Sequence, residues 1–560
     1  LGRQWIWSNK LSNMKNKLKI VLLTIVMSSF AIFTTGVSES YFEIAKNLNI
    51  FNSLYKELNS LYVDETDPGE LMKKSIDHML ESLDPYTTYI PESEIEDFRF
   101  MTTGQYGGIG AVITKRDEYV YISEPYEGFA AQKSGLMAGD KILEINGKSA
   151  KDKTTEEVSK ILKGQPGTSV SLLIERKSVS EPFTVIFDRE KVTINSVSYS
   201  DHINNNIGYV KLRSFTRGCA EQLKKSIVEL NNKKELKGLI LDLRSNPGGL
   251  LNESVDIANF FIDKGELIVN TKGKINSWDK EYIAKKNPIF KNLPLVVLIN
   301  NTSASASEIV SGSIQDLDRG VIVGKKSFGK GLVQQTRKLP YNSELKLTVA
   351  KYYIPSGRCI QAVDYSNRNE DGSVGTIADS LLTEFKTRNG RKVYDGGGIT
   401  PDIITSEDFP VNLIKSLAKE RLFFDFATDF RIKNDQLKDN FILTEQDFSD
   451  FTYYLSDKKY EYKTKTELAI NALKEKSKTE NYYSEIEEEF NLLLNKYYDS
   501  KKDDLNKNKQ IIKEILTGEI ISRYYYQKGR IKASLNFDED VKKAIEILEN
   551  TKEYNSLLNI

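Results

Sequence analysis

The spacing of apolar and polar residues changes character several times along the chain. From residue 40 to about 95, apolar positions such as Ile50, Leu54, Leu58 and Leu61 recur at steps of three and four, which predicts amphipathic helices. The stretch Asp64-Glu-Thr-Asp-Pro68 breaks that pattern. From Tyr106 to about Arg189, short alternating segments separated by glycine turns predict half-buried strands near 107–112, 119–123, 141–147 and 169–174. One helix interrupts them over 154–163 and stops at Gly164, with Pro166 beyond.

From about 206 to 405 the pattern differs again. The segments 238–243 and 293–299 are nearly continuous apolar runs, as expected of strands buried on both faces. Helical spacing follows at 252–262 and 305–317, and this alternation predicts a βα-crossover core. Beyond 406 come charged amphipathic helices rich in Lys, Glu and Tyr, for example 467–474 and 541–548. The charged run 501–509 reads as a solvated linker or helix face rather than a binding patch. No internal repeat is visible.

The amino terminus stands apart. Residues 1–13 precede Met14 and look like an upstream translated extension. From Met14 a basic segment, Lys15 to Lys19, leads into an apolar run from Ile20 to Gly36, and small residues follow, which is the layout of a secretory signal. The run is near the short end of a membrane span, roughly 17–25 residues, so an uncleaved anchor is also open. A core helix fits less well, because no polar face recurs at helical spacing. No Cys follows the run, which argues against a lipoprotein. The expected location is outside the cytoplasm: periplasmic, or membrane-anchored facing the periplasm.

Composition narrows the field. A chain of 560 residues is too long for one core and suggests roughly three to four domains. Hydrophobic residues make up 39% and charged residues 28%, ordinary for a globular protein. Seventy-nine basic residues balance seventy-nine acidic ones, so nothing favours a nucleic-acid partner. Cys219 and Cys359 are too few for a disulfide framework and read as free thiols.

Three stretches carry chemistry. Ser303, Ser305 and Ser307 alternate between a buried strand and a helix, where a serine serves either as an N-cap or beside an oxyanion held by free N–H groups. The G-x-S-x-G elbow is absent. Asp242-Leu-Arg-Ser-Asn-Pro-Gly-Gly-Leu250 follows another buried strand; its two glycines allow a sharp turn with bare N–H groups, or a simple tight turn. Gly324-Lys-Lys-Ser-Phe-Gly-Lys330 imitates a phosphate loop, but position 331 is Gly rather than the Ser or Thr that would hold magnesium, and 332–336 reads as a strand. Lys330 is then either a surface lysine or, in an apolar setting, a neutral amine fit to act as a base. His78 and His202 both lack the context of a catalytic base, and two histidines without clustered cysteines give no metal site.

Together, Ser303-Ala-Ser-Ala-Ser-Glu-Ile309, Ser327-Phe-Gly-Lys-Gly-Leu-Val-Gln334 and Asp242-Leu-Arg-Ser-Asn-Pro-Gly-Gly249 resemble the carboxy-terminal processing peptidases, or tail-specific proteases, of peptidase family S41. The similarity spans about 45–405. It implies a Ser305 nucleophile, a Lys330 general base, Gln334 as the residue orienting that base, and an oxyanion hole from the N–H groups of Gly249 and Ala306. The choice of Ser305 among the three serines comes from the resemblance, not from spacing. The family also carries a PDZ domain. Residues 97–190 resemble one, with Gly108, Ile109, Gly110 and Ala111 as a carboxylate-binding loop. Val158 and Leu162 either line the pocket for the last side chain or are ordinary core residues.

The expected architecture is a multidomain α/β chain: signal or anchor at 14–38, an N-terminal helical region at 39–96, the PDZ domain at 97–190, a ClpP/crotonase-like S41 core at 191–405 and a C-terminal helical domain at 406–560. The leading expectation is an exported serine endopeptidase that recognises protein C-termini and works through an acyl-enzyme. It needs no cofactor or metal, takes peptide or protein substrates with accessible C-termini, and leaves homo-oligomerisation open. The alternatives are a catalytically silent PDZ scaffold and a conventional serine–histidine hydrolase relying on His78 or His202.

Overall fold

The computed structural model describes residues 41–368, 374–376, 382–405, 412–438 and 441–560. The extension at 1–13 and the expected signal or anchor at 14–38 lie outside them. Among the described residues, no helix is long and apolar enough to cross a membrane. The chain divides into two compact units, Leu1–Ser82 and Leu83–Ile560.

In the first unit a helix over 41–61 is followed by Pro68–Glu81. Pro68 opens the second helix with its φ already set, and Asp67 caps it by accepting from the Glu70 N–H at 3.0 Å. The break at 62–67 is where the acidic segment predicted it.

The second unit is built around two sheets. The first runs, in spatial order, Val197–Ile203, Ile207–Leu212, Gly238–Asp242, Leu295–Ile299, Val321–Gly324 and Ile403–Ile404. The first pair is antiparallel and every later pair parallel. All residues of Gly238–Asp242 and Leu295–Ile299 are buried, as their unbroken apolar runs predicted. The helices Cys219–Lys233, Leu251–Ala258 and Ala306–Asp316 cover one face through Leu223, Ile257 and Ile309. The other face is closed by the last helices of the chain, Glu539–Glu549 and Thr551–Leu557, whose Val541, Ile547 and Tyr554 pack on Ile240, Val296 and Leu298.

The second sheet is antiparallel, in the order Ala111–Arg116, Tyr119–Pro125, Lys141–Ile145, Ser169–Glu175, Phe183–Asp188. The helix Thr155–Leu162 closes its core, and Thr154 and Glu157 form a capping box at its start. A further sheet pairs Leu332–Leu339 with Ser343–Tyr353, to which Thr88–Ile90 adds antiparallel. That strand corrects the all-helical expectation for 40–95. Three residues carry no period of their own and become a strand only through pairing such as Tyr89 with Leu345.

After 412 the chain is helical. Phe423, Phe426, Phe451 and Tyr454 form an aromatic core, with Phe426 and Phe451 edge-to-face at 5.1 Å. Ion pairs join this region to the antiparallel sheet: Arg116 with Asp425 at 2.8 Å, Lys177 with Asp429 at 2.6 Å and Arg530 with Glu124 at 3.0 Å. Both cysteines are free thiols, Cys219 buried and Cys359 half-buried.

Candidate active site

At the carboxyl end of Leu295–Ile299 the chain turns into the helix Ala306–Asp316, and the three alternating serines separate there. Ser303 is buried and its hydroxyl donates to the Leu243 carbonyl at 2.8 Å. Ser307 is buried and donates to the Asn246 carbonyl at 2.9 Å. Ser305 lines a cleft of about 1470 Å³. Its backbone has φ 55° and ψ −112°, a conformation that costs a serine about 1–3 kcal/mol and persists only where surrounding contacts impose it.

Glu308 supplies much of that constraint. Its carboxylate is fully buried and accepts from the Ser305 N–H at 2.7 Å, the Ser327 hydroxyl at 2.5 Å, the Gly329 N–H at 2.7 Å and the Lys330 N–H at 2.9 Å. Burial pushes this carboxyl above its usual range, and the four donors pull against that rise. One side chain therefore ties the serine turn to the lysine loop. Tyr352 adds a second tie, its hydroxyl donating to the Ser305 carbonyl at 3.2 Å and to the Lys330 carbonyl. Gly329 has φ 85°, and a Cβ there would lie 2.4 Å from that of Ala362, so glycine lets the loop approach its neighbour.

Lys330 lines the same cleft, its Nζ 4.2 Å from the centroid of the Tyr86 ring. Asp84 holds Tyr86 in place by accepting from the N–H groups of Tyr86 and Thr87, each at 2.8 Å. Burial lowers the Lys330 ammonium to about 8, and the neighbouring charge of Lys346 pushes the same way against the opposing pull of Glu308 and Asp84. The neutral amine is then a minority form at pH 7 and reaches half near pH 8. Gln334 also lines the cleft; its amide donates to the Thr348 hydroxyl at 3.3 Å across the strand pair.

The glycine turn packs directly against the serine turn: a Cβ at Gly248 would lie 2.8 Å from that of Ser305. Asn246 holds it, accepting from the Gly248 N–H at 2.9 Å and donating to the Leu212 carbonyl at 2.8 Å. The Phe215 N–H donates to the Gly248 carbonyl at 3.0 Å, and the Leu250 N–H donates to the Phe215 carbonyl at 2.8 Å. A Cβ at Gly249 would lie 2.4 Å from the Phe215 oxygen, so the turn can close only on glycine. The Gly249 and Ala306 N–H groups, both bordering the cleft, donate to no group among the described residues.

The remaining candidates lie elsewhere. Gly108 ends the strand Gln105–Gly108, Gly110 has φ 74°, and Ala111 begins the first strand of the antiparallel sheet. Ile109, Val158 and Leu162 are buried together in that sheet's core. His202 bonds the Lys234 carbonyl at 3.1 Å and does not line the cleft. His78 is exposed on a helix of the first unit. Glu308 and Asn246 lie within the motifs that carry the resemblance but have no role assigned there, and Tyr352 lies outside them. Glu308 stands three residues after Ser305, the spacing of a capping box, and Asn246 precedes the Pro-Gly-Gly turn, but neither position tells locally which distant groups it will bond.

A cleft offering a loop-held serine, a partly neutral lysine and free backbone N–H groups suits acyl transfer. Family models agree with this chemistry: "Peptidase family S41" matches residues 206–366, "PDZ domain" 121–176, and "Probable PDZ-protease, C-terminal helical domain" 413–548. The chain is thus a serine-type peptidase with a PDZ domain and a helical carboxy-terminal region. It is 35% identical over 343 residues to the carboxy-terminal-processing protease of Bartonella bacilliformis, covering 61% of this chain and 77% of that protein. It belongs to peptidase family S41, among the carboxy-terminal processing peptidases. It is also 37% identical over 319 residues to the "Probable CtpA-like serine protease" of Staphylococcus aureus, 56% of this chain and 62% of the relative's length. Among solved structures, the photosystem II D1 C-terminal processing protease is similar at 27% identity, with 64% of this chain and 93% of that chain covered and a TM-score of 0.35.

Proposed function

We propose that this peptidase is an exported endopeptidase with a Ser305–Lys330 dyad that recognises the C-terminal tails of its substrates. Ser305 Oγ attacks the scissile carbonyl and its proton passes to Lys330 Nζ. The N–H groups of Gly249 and Ala306 donate to the oxyanion, and collapse of the tetrahedral intermediate expels the amine with a proton returned from Lys330. Water then releases the acyl-enzyme by the same route. Gln334 orients the lysine once substrate is bound. The PDZ domain at 97–190 captures the tail's terminal carboxylate on the N–H groups of Gly108–Ala111, the core at 191–405 cleaves, and 406–560 braces both.

The observation that carries this reading is that Ser305 and Lys330 line one cleft, with the lysine lowered to about 8 and no histidine beside it. The test is cleavage of an unfolded protein by Ser305→Ala and, separately, Lys330→Ala. Each is expected to lose about a thousandfold or more; undiminished cleavage by either removes the dyad and favours a silent PDZ scaffold. Tail recognition predicts faster cleavage of a substrate with a free C-terminus than of its amidated form. Export, through residues 14–38, predicts that the protein fractionates outside the cytoplasm.

A further inference from the structure

Across the whole chain acidic and basic residues balance at 79 each, yet the cleft does not share that balance. Eight basic side chains line it against one acidic, Glu253. Most of these charges are already committed. Asp242 pairs with Lys211 at 3.1 Å and with Arg244 at 2.8 Å, and Arg244 is held further by Asp538 and Asp540. Arg530 pairs with Glu124. Glu253 accepts from the N–H groups of Gly218 at 2.7 Å and Ala220 at 3.0 Å, capping a helix. Lys346 serves the dyad by holding down the Lys330 ammonium.

Arg213 and Arg217 are different. They flank Phe215, the residue whose backbone is stitched to the Gly248–Gly249 turn. Their own backbones are fixed, the Arg213 N–H on the Ser196 carbonyl at 2.9 Å and the Arg217 N–H on the Thr102 carbonyl at 3.0 Å. Their guanidinium groups, half-buried and exposed respectively, pair with no carboxylate among the described residues. The charge of Arg213 also reaches the Tyr126 hydroxyl, and the Tyr126 N–H donates to the Gly110 carbonyl at 2.8 Å. Arg213 thus stands on the flank of the cleft nearer Tyr126 and the 108–111 loop, and Arg217 on the flank nearer Thr102.

We propose that Arg213 and Arg217 form a carboxylate subsite, so that the preferred substrate segment carries an Asp or Glu side chain where it passes the Phe215 turn. This rests on the proteolytic reading above and adds a substrate class to it: acidic segments upstream of a recognised tail. A planar guanidinium on a fixed backbone matches a carboxylate in bidentate geometry. A cleft lined by one sign of charge also raises association rates, by about tenfold at the low end of such effects.

The test uses the full chain and peptides of one apolar framework, acidic or neutral within a few residues of the scissile bond, each with a free or an amidated end. The acidic peptides are expected to show about tenfold higher kcat/KM in both end states, carried by KM, with the advantage shrinking as salt approaches about 1 M. In Arg213→Gln/Arg217→Gln the acidic-to-neutral ratio should fall to near one, and Arg213→Lys/Arg217→Lys should restore most of it. Equal cleavage of acidic and neutral peptides by the unaltered protein overturns the proposal. So does a preference that survives the double glutamine variant, or one that follows the free end instead of the side chain. Should the double variant fail to fold, the salt dependence in the unaltered protein decides alone. Failure to cleave any peptide, or equal cleavage by Ser305→Ala, overturns instead the proteolytic reading.

Discussion

The two main sheets of the larger unit solve opposite problems. The parallel sheet is covered on both faces, and Ser305 and the Gly248–Gly249 turn lie just past the carboxyl ends of its strands. The antiparallel sheet is closed by a single short helix and leaves Ile186 68% exposed on its outer side. In the first, the fully buried Glu308 is met by three backbone N–H groups and the Ser327 hydroxyl, whereas the buried carboxylate beside the antiparallel sheet, Asp140, is met chiefly by the Arg176 side chain at 2.6 Å. The antiparallel sheet meets the helical region through partly exposed ion pairs, which constrain orientation weakly. The serine and lysine loops thus sit on the doubly covered sheet, and the PDZ domain on the sheet joined to the helical region by partly exposed ion pairs.

Removing the cover is the most severe way to break this contrast. Deleting 539–560 would expose Ile240, Val296 and Leu298, and the protein is expected to aggregate rather than fold, as solubility and circular dichroism would show. The milder Ile547→Ala should cost about 2–5 kcal/mol in denaturant unfolding. Next comes Glu308→Gln, which keeps the shape but turns an amide N–H toward existing donors. It should destabilise by about 1–3 kcal/mol and lower kcat far more than it raises KM. Lys346→Met removes a cation that holds down the Lys330 ammonium. The lysine then loses its proton at higher pH, so the rising limb of the rate profile should move upward, with a few-fold loss of rate near pH 7. Smallest is Arg116→Ala at the boundary of the antiparallel sheet, worth about 0.2–1 kcal/mol and weaker still in high salt.

Local pattern carried much of this structure. Unbroken apolar runs at 238–243 and 293–299 announced the doubly buried strands, and Gly164 and Pro166 marked the end of the helix that closes the antiparallel sheet. What pattern could not carry was pairing between distant segments. Nothing near Val541 says that its helix covers Ile240, and nothing near Thr88 says that three residues will join Ser343–Tyr353. The serines show the same limit. Spacing alone left Ser303, Ser305 and Ser307 equivalent, and only the carbonyls of Leu243 and Asn246, which arrive from another loop, set the first and last apart. Glu308 at the third helical position reads locally as a cap; its bonds to Ser327, Gly329 and Lys330 exist only in three dimensions.

The pH dependence of kcat/KM on an unfolded substrate with a free C-terminus tests the dyad most directly. A lysine base must be neutral to accept the serine proton, so the rate should rise with a single ionisation near pH 8, and the rise should vanish with activity in Lys330→Ala. A rise near pH 6.5, the mark of a histidine, or an unchanged profile in Lys330→Ala would contradict it.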